Sequence, residues 1–252
     1  MRILVTNDDG IMAPGLLALR RALAELGDVT VVAPTTAQSA VGHAITLTDP
    51  IRVHRVDLGD GARGYGVQGR PADCVKLALL ELMPEPPDLV ASGVNLGTNL
   101  GINVLYSGTV AAAVEGAFFG VPSVAVSIED SDAVDYDGAA AITRGLVDQM
   151  IARGGQTPLL LNVNVPDLAK GPPKGVRVVP QSMKGFTEGW ERRSDPRGRT
   201  YYWMTGAQAG EDRGVDSDVA AFDEGYVTVT PLRFDLTDRH RIDDVRGWDL
   251  RL

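Results

Sequence analysis

From Arg2 to Val165 the chain alternates short apolar runs with segments that are apolar at helical spacing, and this alternation restricts the fold more than any other feature. Arg2–Thr6 reads as a strand, and Pro14–Leu26 as a helix with Leu16, Leu19, Leu23 and Leu26 on one side, stopped by Gly27. Val29–Ala33 is a second strand, ended by Pro34. Pro71–Met83 is a helix with Val75, Leu79 and Leu82 as its stripe and Pro71 in its first turn. A strand at Asp88–Ala91, a helix at Thr109–Phe119, a strand at Ser123–Ser127, a helix at Gly138–Ala152 and a strand at Leu159–Val165 complete the series. Apolar strands joined by helices need a mostly parallel sheet covered on both faces, a Rossmann-like three-layer α/β sandwich.

Beyond Pro166 the pattern changes: Pro, Gly, Arg and Asp become frequent and helical periodicity fades. Short strand-like runs at Val176–Val179, Tyr201–Met204 and Tyr226–Val229 are separated by polar turns. The chain therefore divides into a Rossmann-like core at 1–166 and a β-rich extension at 167–252, with a hairpin arm at about 184–206 and a final strand that returns to the core. The arm is read as packing on another subunit or, equally, as a loose surface loop.

Charge and composition remove several classes of function. With 44% hydrophobic and 23% charged residues the chain is globular rather than disordered. Its longest apolar runs, such as Val121–Ile128, fall well short of the ~20 residues that span a bilayer. The N-terminus opens on a strand with no basic stretch leading into a long apolar segment, so no signal peptide and no membrane partner are expected. A net charge of −9 argues against a nucleic-acid polymer as partner but not against small phosphorylated ligands, because a bound cation inverts the field locally. The lone cysteine, Cys74, fits a reducing cytoplasm.

Chemistry-bearing residues collect at four loops that follow strands or open helices. Thr6-Asn7-Asp8-Asp9-Gly10 follows the first strand; adjacent carboxylates there repel unless a cation lies beside them, and hard oxygen ligands suit Mg²⁺ or Mn²⁺. As bare composition the same run also suits a turn. Gln38-Ser39-Ala40-Val41-Gly42-His43 follows the second strand, with Ser39 a hydroxyl ligand and His43 an accessory proton donor, or each an ordinary loop residue. Ser92–Gly101 carries Asn95 and Asn99 among glycines that admit an anion close to backbone amides. Ser107-Gly108-Thr109 opens an alanine-rich helix closed by Gly116, and its free amides can bind phosphate, although Ser or Thr is also a common helix cap. In a parallel α/β sheet such loops gather on one edge, where ligands bind. Gly64-Tyr65-Gly66-Val67-Gln68-Gly69 satisfies G-x-G-x-x-G but follows the turn-like Asp57–Gly61 rather than a strand, so no dinucleotide site is expected. There is no P-loop, and Asp8-Asp9 lacks the Asp-x-Asp spacing of haloacid-type phosphatases.

These motifs resemble the SurE family of nucleotidases. The likeness runs from Ile3-Leu4-Val5-Thr6-Asn7-Asp8-Asp9-Gly10 through Val31–Pro34, Ser39, Gly42-His43 and Pro71–Val75. It continues in Ser92–Asn95, Asn99–Gly101, Tyr106–Val110, Leu161–Pro166 and Val227–Leu232. The resemblance implies one divalent ion per subunit held by Asp8, Asp9, Ser39 and Asn95, with phosphate contacts at Asn95, Asn99, Ser107, Gly108 and Thr109. It implies hydrolysis of nucleoside 5′- and 3′-monophosphates, in some members also of polyphosphate, and a dimer or tetramer that exchanges C-terminal arms. Arg70, Ile102-Asn103 and Thr35-Thr36 depart from the family pattern without touching an implied ligand. The attacking group is either an activated water or Asp8 itself. A phosphatase acting mainly on polyphosphate or sugar phosphates, and a non-catalytic nucleotide sensor, are the competing readings; the sensor would not need two adjacent carboxylates.

Overall fold

A computed structural model describes residues 1–153, 159–183, 186–208 and 216–251. Its centre is a nine-stranded sheet. In chain order the strands are β1 (Arg2–Thr6), β2 (Asp28–Pro34), β3 (Val53–Gly59), β4 (Ala62–Val67), β5 (Leu89–Leu96), β6 (Ser123–Ile128), β7 (Leu160–Val165), β8 (Val176–Val178) and, after a separate hairpin of β9 (Phe186–Ser194) and β10 (Thr200–Gln208), β11 (Val227–Pro231). They lie in the order β3-β4-β2-β1-β5-β6-β7-β11-β8. From β4 across to β7 the neighbours are parallel, and β3 and β11 each join antiparallel to a neighbour.

The strand residues alternate between two covering layers, as a period of two demands. Ile3 and Val5 face the helices α1 (Pro14–Leu23) and α4 (Tyr136–Arg153), with Leu16, Leu19, Leu23, Ala139, Ala140 and Val147 in the same buried cluster. Leu4, Val32 and Val90 face the opposite layer, α2 (Pro71–Leu77) and α3 (Gly108–Phe118), through Cys74, Val75 and Ala112. The α/β sandwich expected from the sequence is the fold observed. Gly116 explains how α3 lies so close to the sheet: a Cβ there would stand 2.5 Å from Ser123 Oγ and 2.7 Å from Val90 Cγ2.

Several elements differ from the sequence reading. Residues around the turn at Asp60-Gly61, expected to be irregular, form the β3–β4 hairpin; the exposed His54 and Arg55 mask its strand character. Helix α1 ends at Leu23, before Leu26, and Gly27 does not cap it; the glycine is required because a Cβ would fall 2.1 Å from the Met1 carbonyl oxygen. Strand β5 continues past Ala91 to Leu96, since pairing with β6 resumes beyond an irregularity: Asn95 opposes Ser127 and Leu96 opposes Ile128. Asn95 therefore sits in the strand's final turn of pleat and not in the loop. Helices α5 (Asp218–Asp223) and α6 (Ile242–Arg246) punctuate an extension in which helical periodicity fades, because each is too short to show one.

The expected arm at 184–206 begins outside the described residues; from Phe186 it is the antiparallel β9–β10 ribbon, with Trp190 opposite Met204 and Trp203 opposite Glu191. Among the described residues the ribbon pairs only with itself.

Candidate active site

Strand β1 lies between β2, reached through α1 on one face, and β5, beyond which the chain winds through α3 on the other. The order reverses between β1 and β5, and the crevice at the carboxyl ends of those two strands is where open α/β sheets bind ligands. Asp8 and Asp9 leave the end of β1 and Asn95 lies at the end of β5, so both flank this point.

The loop after β1 is tightly held. Asn7 is fully buried, and its side chain donates to the Gly10 carbonyl at 3.0 Å while accepting the Gly10 N–H at 3.2 Å. The Gln38 N–H donates to the Asp8 carbonyl at 2.7 Å, which ties the loop after β2 to the carboxylates and brings the neighbouring Ser39 to the same edge, exposed. Across the crevice the Leu96 N–H approaches Asp9 Oδ2 at 3.4 Å, and Asn95 Nδ2 donates to the Gly97 carbonyl at 2.6 Å.

Helix α3 starts against Asp8. A Cβ on Gly108 would lie 2.8 Å from both Asp8 Cβ and Asp8 Oδ2, so the first turn of the helix touches the carboxylate and leaves no room for a larger residue. Ser107 caps the helix by accepting the Val110 N–H at 3.1 Å, and the buried Thr109 hydroxyl donates to Asp8 Oδ1. Thr109 is thus engaged with the acid, a partnership that spacing alone does not show.

Electrostatics set this pair apart. Asp8 is only 6% exposed, and burial pushes its pKa up to about 6; the Thr109 hydrogen bond opposes that rise and the neighbouring Asp9 charge adds to it. Burial also raises Asp9. Among the described residues no protein cation acts on either carboxylate. Two hard oxygen donors sharing a partly desolvated site without a countercharge fit a divalent cation. Among the described residues no three His, Cys, Asp or Glu converge.

The sequence of the Survival protein SurE family matches residues 3–188. The chain is 50% identical to the 5′-nucleotidase SurE of Rhodopirellula baltica across the whole of both proteins. It is 48% identical to that of Heliobacterium modesticaldum over 98% of this chain and 92% of that one. It belongs to the SurE family. The crystal structure of the SurE protein from Aquifex aeolicus matches this fold with a TM-score of 0.84 at 36% identity, covering 98% of each chain.

In this SurE-family chain the remaining expected site residues have traceable partners. Asn99 is buried, its N–H donating to Asn164 Oδ1 at 2.7 Å, its Nδ2 to Ser127 Oγ at 2.8 Å and its carbonyl accepting from Asn162 Nδ2 at 2.8 Å. His43 stands beside α3, with Nε2 2.6 Å from Glu115 Oε2 and its ring stacked on Phe118. Glu115 also meets Lys76 Nζ at 2.6 Å; burial drives its pKa up, but the hydrogen bonds and charges of His43 and Lys76 prevail and hold it below the usual glutamate value. Sequence reasoning missed Glu115, although a lone acid in the run Val-Ala-Ala-Ala-Val-Glu-Gly was the available signal. It also missed Tyr136, whose hydroxyl pKa is raised by burial and then by the charges of Asp9 and Asp130. A cleft of about 880 Å³ opens elsewhere, near Glu129, Asp167, Lys170 and Glu224, where charges largely answer one another: Lys170 pairs with Glu129, and Glu224 with Arg177.

Proposed function

We propose that this chain hydrolyses nucleoside 5′- and 3′-monophosphates to nucleoside and phosphate, using one divalent ion, Mg²⁺ or Mn²⁺, per subunit. The observation that carries the reading is the contact between the first turn of α3 and the buried Asp8 carboxylate at the β1–β5 crevice. A helix N-terminus favours an anion, and Asp8-Asp9 favours a cation; a phosphate ester with its metal satisfies both at once.

Asp8, Asp9, Ser39 and Asn95 would hold the ion, which supplies positive charge to polarise a phosphoryl oxygen. Thr109 holds Asp8 in one orientation through its hydroxyl. The Ser107 N–H is held by the Asn103 carbonyl and the Thr109 N–H by Asp8, so the Gly108 amide, with the Asn99 loop beside it, receives the charge that develops on the phosphoryl oxygens. The attacking oxygen adds to phosphorus as the ester P–O bond breaks, and the nucleoside oxygen leaves with a proton. His43, oriented by Glu115, is the accessory donor for that proton. Recovery of a phospho-Asp8 species would assign the attack to Asp8, and its absence under trapping conditions would assign it to water.

The names of the R. baltica and H. modesticaldum relatives support the 5′-nucleotidase reading. Residues 1–166 act as the catalytic core, and the extension serves assembly. The β9–β10 ribbon exposes Trp190 at 63%, Tyr202 at 57% and Trp203 at 59%, and an isolated two-stranded ribbon is marginally stable alone, which supports docking on a second copy as a dimer or tetramer. The buried free thiol of Cys74 supports a cytoplasmic location; no described helix is long and apolar enough to cross a membrane.

The test is phosphate release from a panel of nucleoside monophosphates, polyphosphate and sugar phosphates, with Mg²⁺ or Mn²⁺ and then with EDTA. Metal-dependent release strongest on nucleotides is expected. Release that survives EDTA, or that is confined to non-nucleotide esters, would overturn the assignment.

A further inference from the structure

Asp218 is fully buried and belongs to none of the four site loops. Its Oδ2 accepts the Gly101 N–H at 2.9 Å, and its Oδ1 accepts the N–H groups of Ser182 and Val219, each at 2.8 Å. Its own N–H donates to the Pro180 carbonyl at 2.9 Å. Gln181 Nε2 donates to the Gly101 carbonyl at 2.7 Å. Pro180–Ser182 lead towards β9 and Asp218 follows β10, so these bonds close the neck of the hairpin.

Both polar groups of Gly101 therefore end on that neck, the N–H on Asp218 and the carbonyl on Gln181. Two residues earlier, both backbone groups of Asn99 end on β7, at Asn164 and Asn162. The loop between β5 and α3 is suspended between the sheet and the root of the arm. An acid that served only its own helix would have little need of Gly101, because Ser217 already caps α5 by accepting the Ala220 N–H at 3.2 Å.

We propose that Asp218 is a positioning residue that fastens the hairpin neck to Gly101, so that docking of the hairpin on a second copy of this chain sets the geometry of the phosphate-binding loop at Asn99–Thr109. This rests on the readings of that loop and of the arm given above. Nothing in the role requires Asp218 to touch substrate. Its two oxygens serve donors from three segments, and an asparagine, with one acceptor oxygen, must release either Gly101 or the Ser182–Val219 pair.

Two affinities test it on the full-length chain with Mg²⁺: KM for a nucleoside monophosphate, and the Kd for inorganic phosphate by calorimetry. Asp218→Asn is expected to raise both roughly tenfold, the order for losing one hydrogen bond to a charged acceptor. Turnover at saturation should change about twofold or less, and the metal-induced thermal shift should persist, because Asp8 and Asp9 are untouched. Gln181→Ala should move the same two affinities in the same direction, and the double variant should be no worse than the more severe single one. Wild-type KM should rise on dilution below the assembly concentration, whereas that of Asp218→Asn should stay high throughout. A folded Asp218→Asn with wild-type KM and Kd would overturn the proposal, as would a wild-type KM indifferent to dilution. If Asp218→Asn does not fold, Gln181→Ala decides: unchanged affinities overturn it. Wild-type protein that binds phosphate in an Asp218-dependent way yet releases none from nucleotides would leave this proposal standing and sink the nucleotidase reading.

Discussion

Replacing Asp8 by asparagine should stabilise the metal-free protein while removing its activity. In the folded chain the Asp8 pKa is about 6 against 3.8 for an unperturbed aspartate. Between those values the native state binds the proton that the unfolded chain has released, so stability falls as pH rises through this window and the loss is complete above pH 6. A shift of that size is worth about 3 kcal/mol at ~1.4 kcal/mol per unit. Asp8→Asn keeps an acceptor for the Thr109 hydroxyl and carries no charge, so in EDTA above pH 6 its Tm should exceed the wild-type value by roughly 6–12 °C, at a few degrees per kcal/mol for a chain of this size.

The measurement is thermal unfolding by circular dichroism over a pH series, with EDTA and then with Mg²⁺ or Mn²⁺. Below pH 3.8 the two proteins should converge, because wild-type Asp8 is then neutral in both states. Added metal should raise the wild-type Tm and leave the variant nearly unmoved, since the ion stabilises only the state that binds it. An Asp8→Asn protein no more stable than wild type above pH 6, or one with an undiminished metal shift, would refute the description of Asp8 as an uncompensated buried anion that awaits a cation.

Thr109→Val removes the hydroxyl that orients Asp8 and should lower kcat about 10–100-fold with the fold intact by circular dichroism, a range set by one hydrogen bond to a charged group. Gly116→Val forces a side chain into Ser123 and Val90 and should cost about 1–3 kcal/mol, read as a lower urea midpoint with unchanged slope. Glu115, held below the ordinary glutamate value of 4.5, contributes stability that is present above that pH and lost as pH falls through its folded value; Glu115→Gln should therefore destabilise near neutrality and match wild type in acid, by thermal unfolding. Paired substitution of Trp190 and Trp203 by serine should shift light scattering towards the monomer, because exposed tryptophans anchor interfaces disproportionately.

The sandwich was legible because its strands are apolar on both faces and its helices carry regular stripes; Ile3-Leu4-Val5 and Leu16, Leu19 and Leu23 leave little choice. The β3–β4 hairpin was not, since a strand at the sheet's edge alternates weakly and His54, Arg55 and Asp57 look like loop residues. Asp8 and Asp9 stood out by adjacency after an apolar strand. What each touches did not, because a contact such as Thr109 with Asp8, or Asp218 with Gly101, joins residues about a hundred positions apart and leaves no periodic trace. Asn162 and Asn164 show the same limit. Their places in an otherwise apolar strand are plain in the sequence, yet their task of gripping Asn99 appears only once β7 and the loop after β5 are side by side.

The strength of the α3 contact decides what else the crevice must contain. A helix N-terminus stabilises an adjacent anion by about 0.3–1 kcal/mol, reaching ~2 in partly buried settings. Asp8 has that helix turn against it and a hydroxyl bond besides, and its pKa still stands near 6. The hydroxyl and backbone hydrogen bonds therefore do not offset the burial of this carboxylate beside Asp9, and among the described residues no cation lowers the pKa of either acid. A second anion brought to the same helix turn, as proposed for the phosphate, would deepen the deficit. Substrate affinity at this crevice should accordingly depend on the divalent ion more steeply than ion affinity depends on any single neutral ligand such as Ser39 or Asn95.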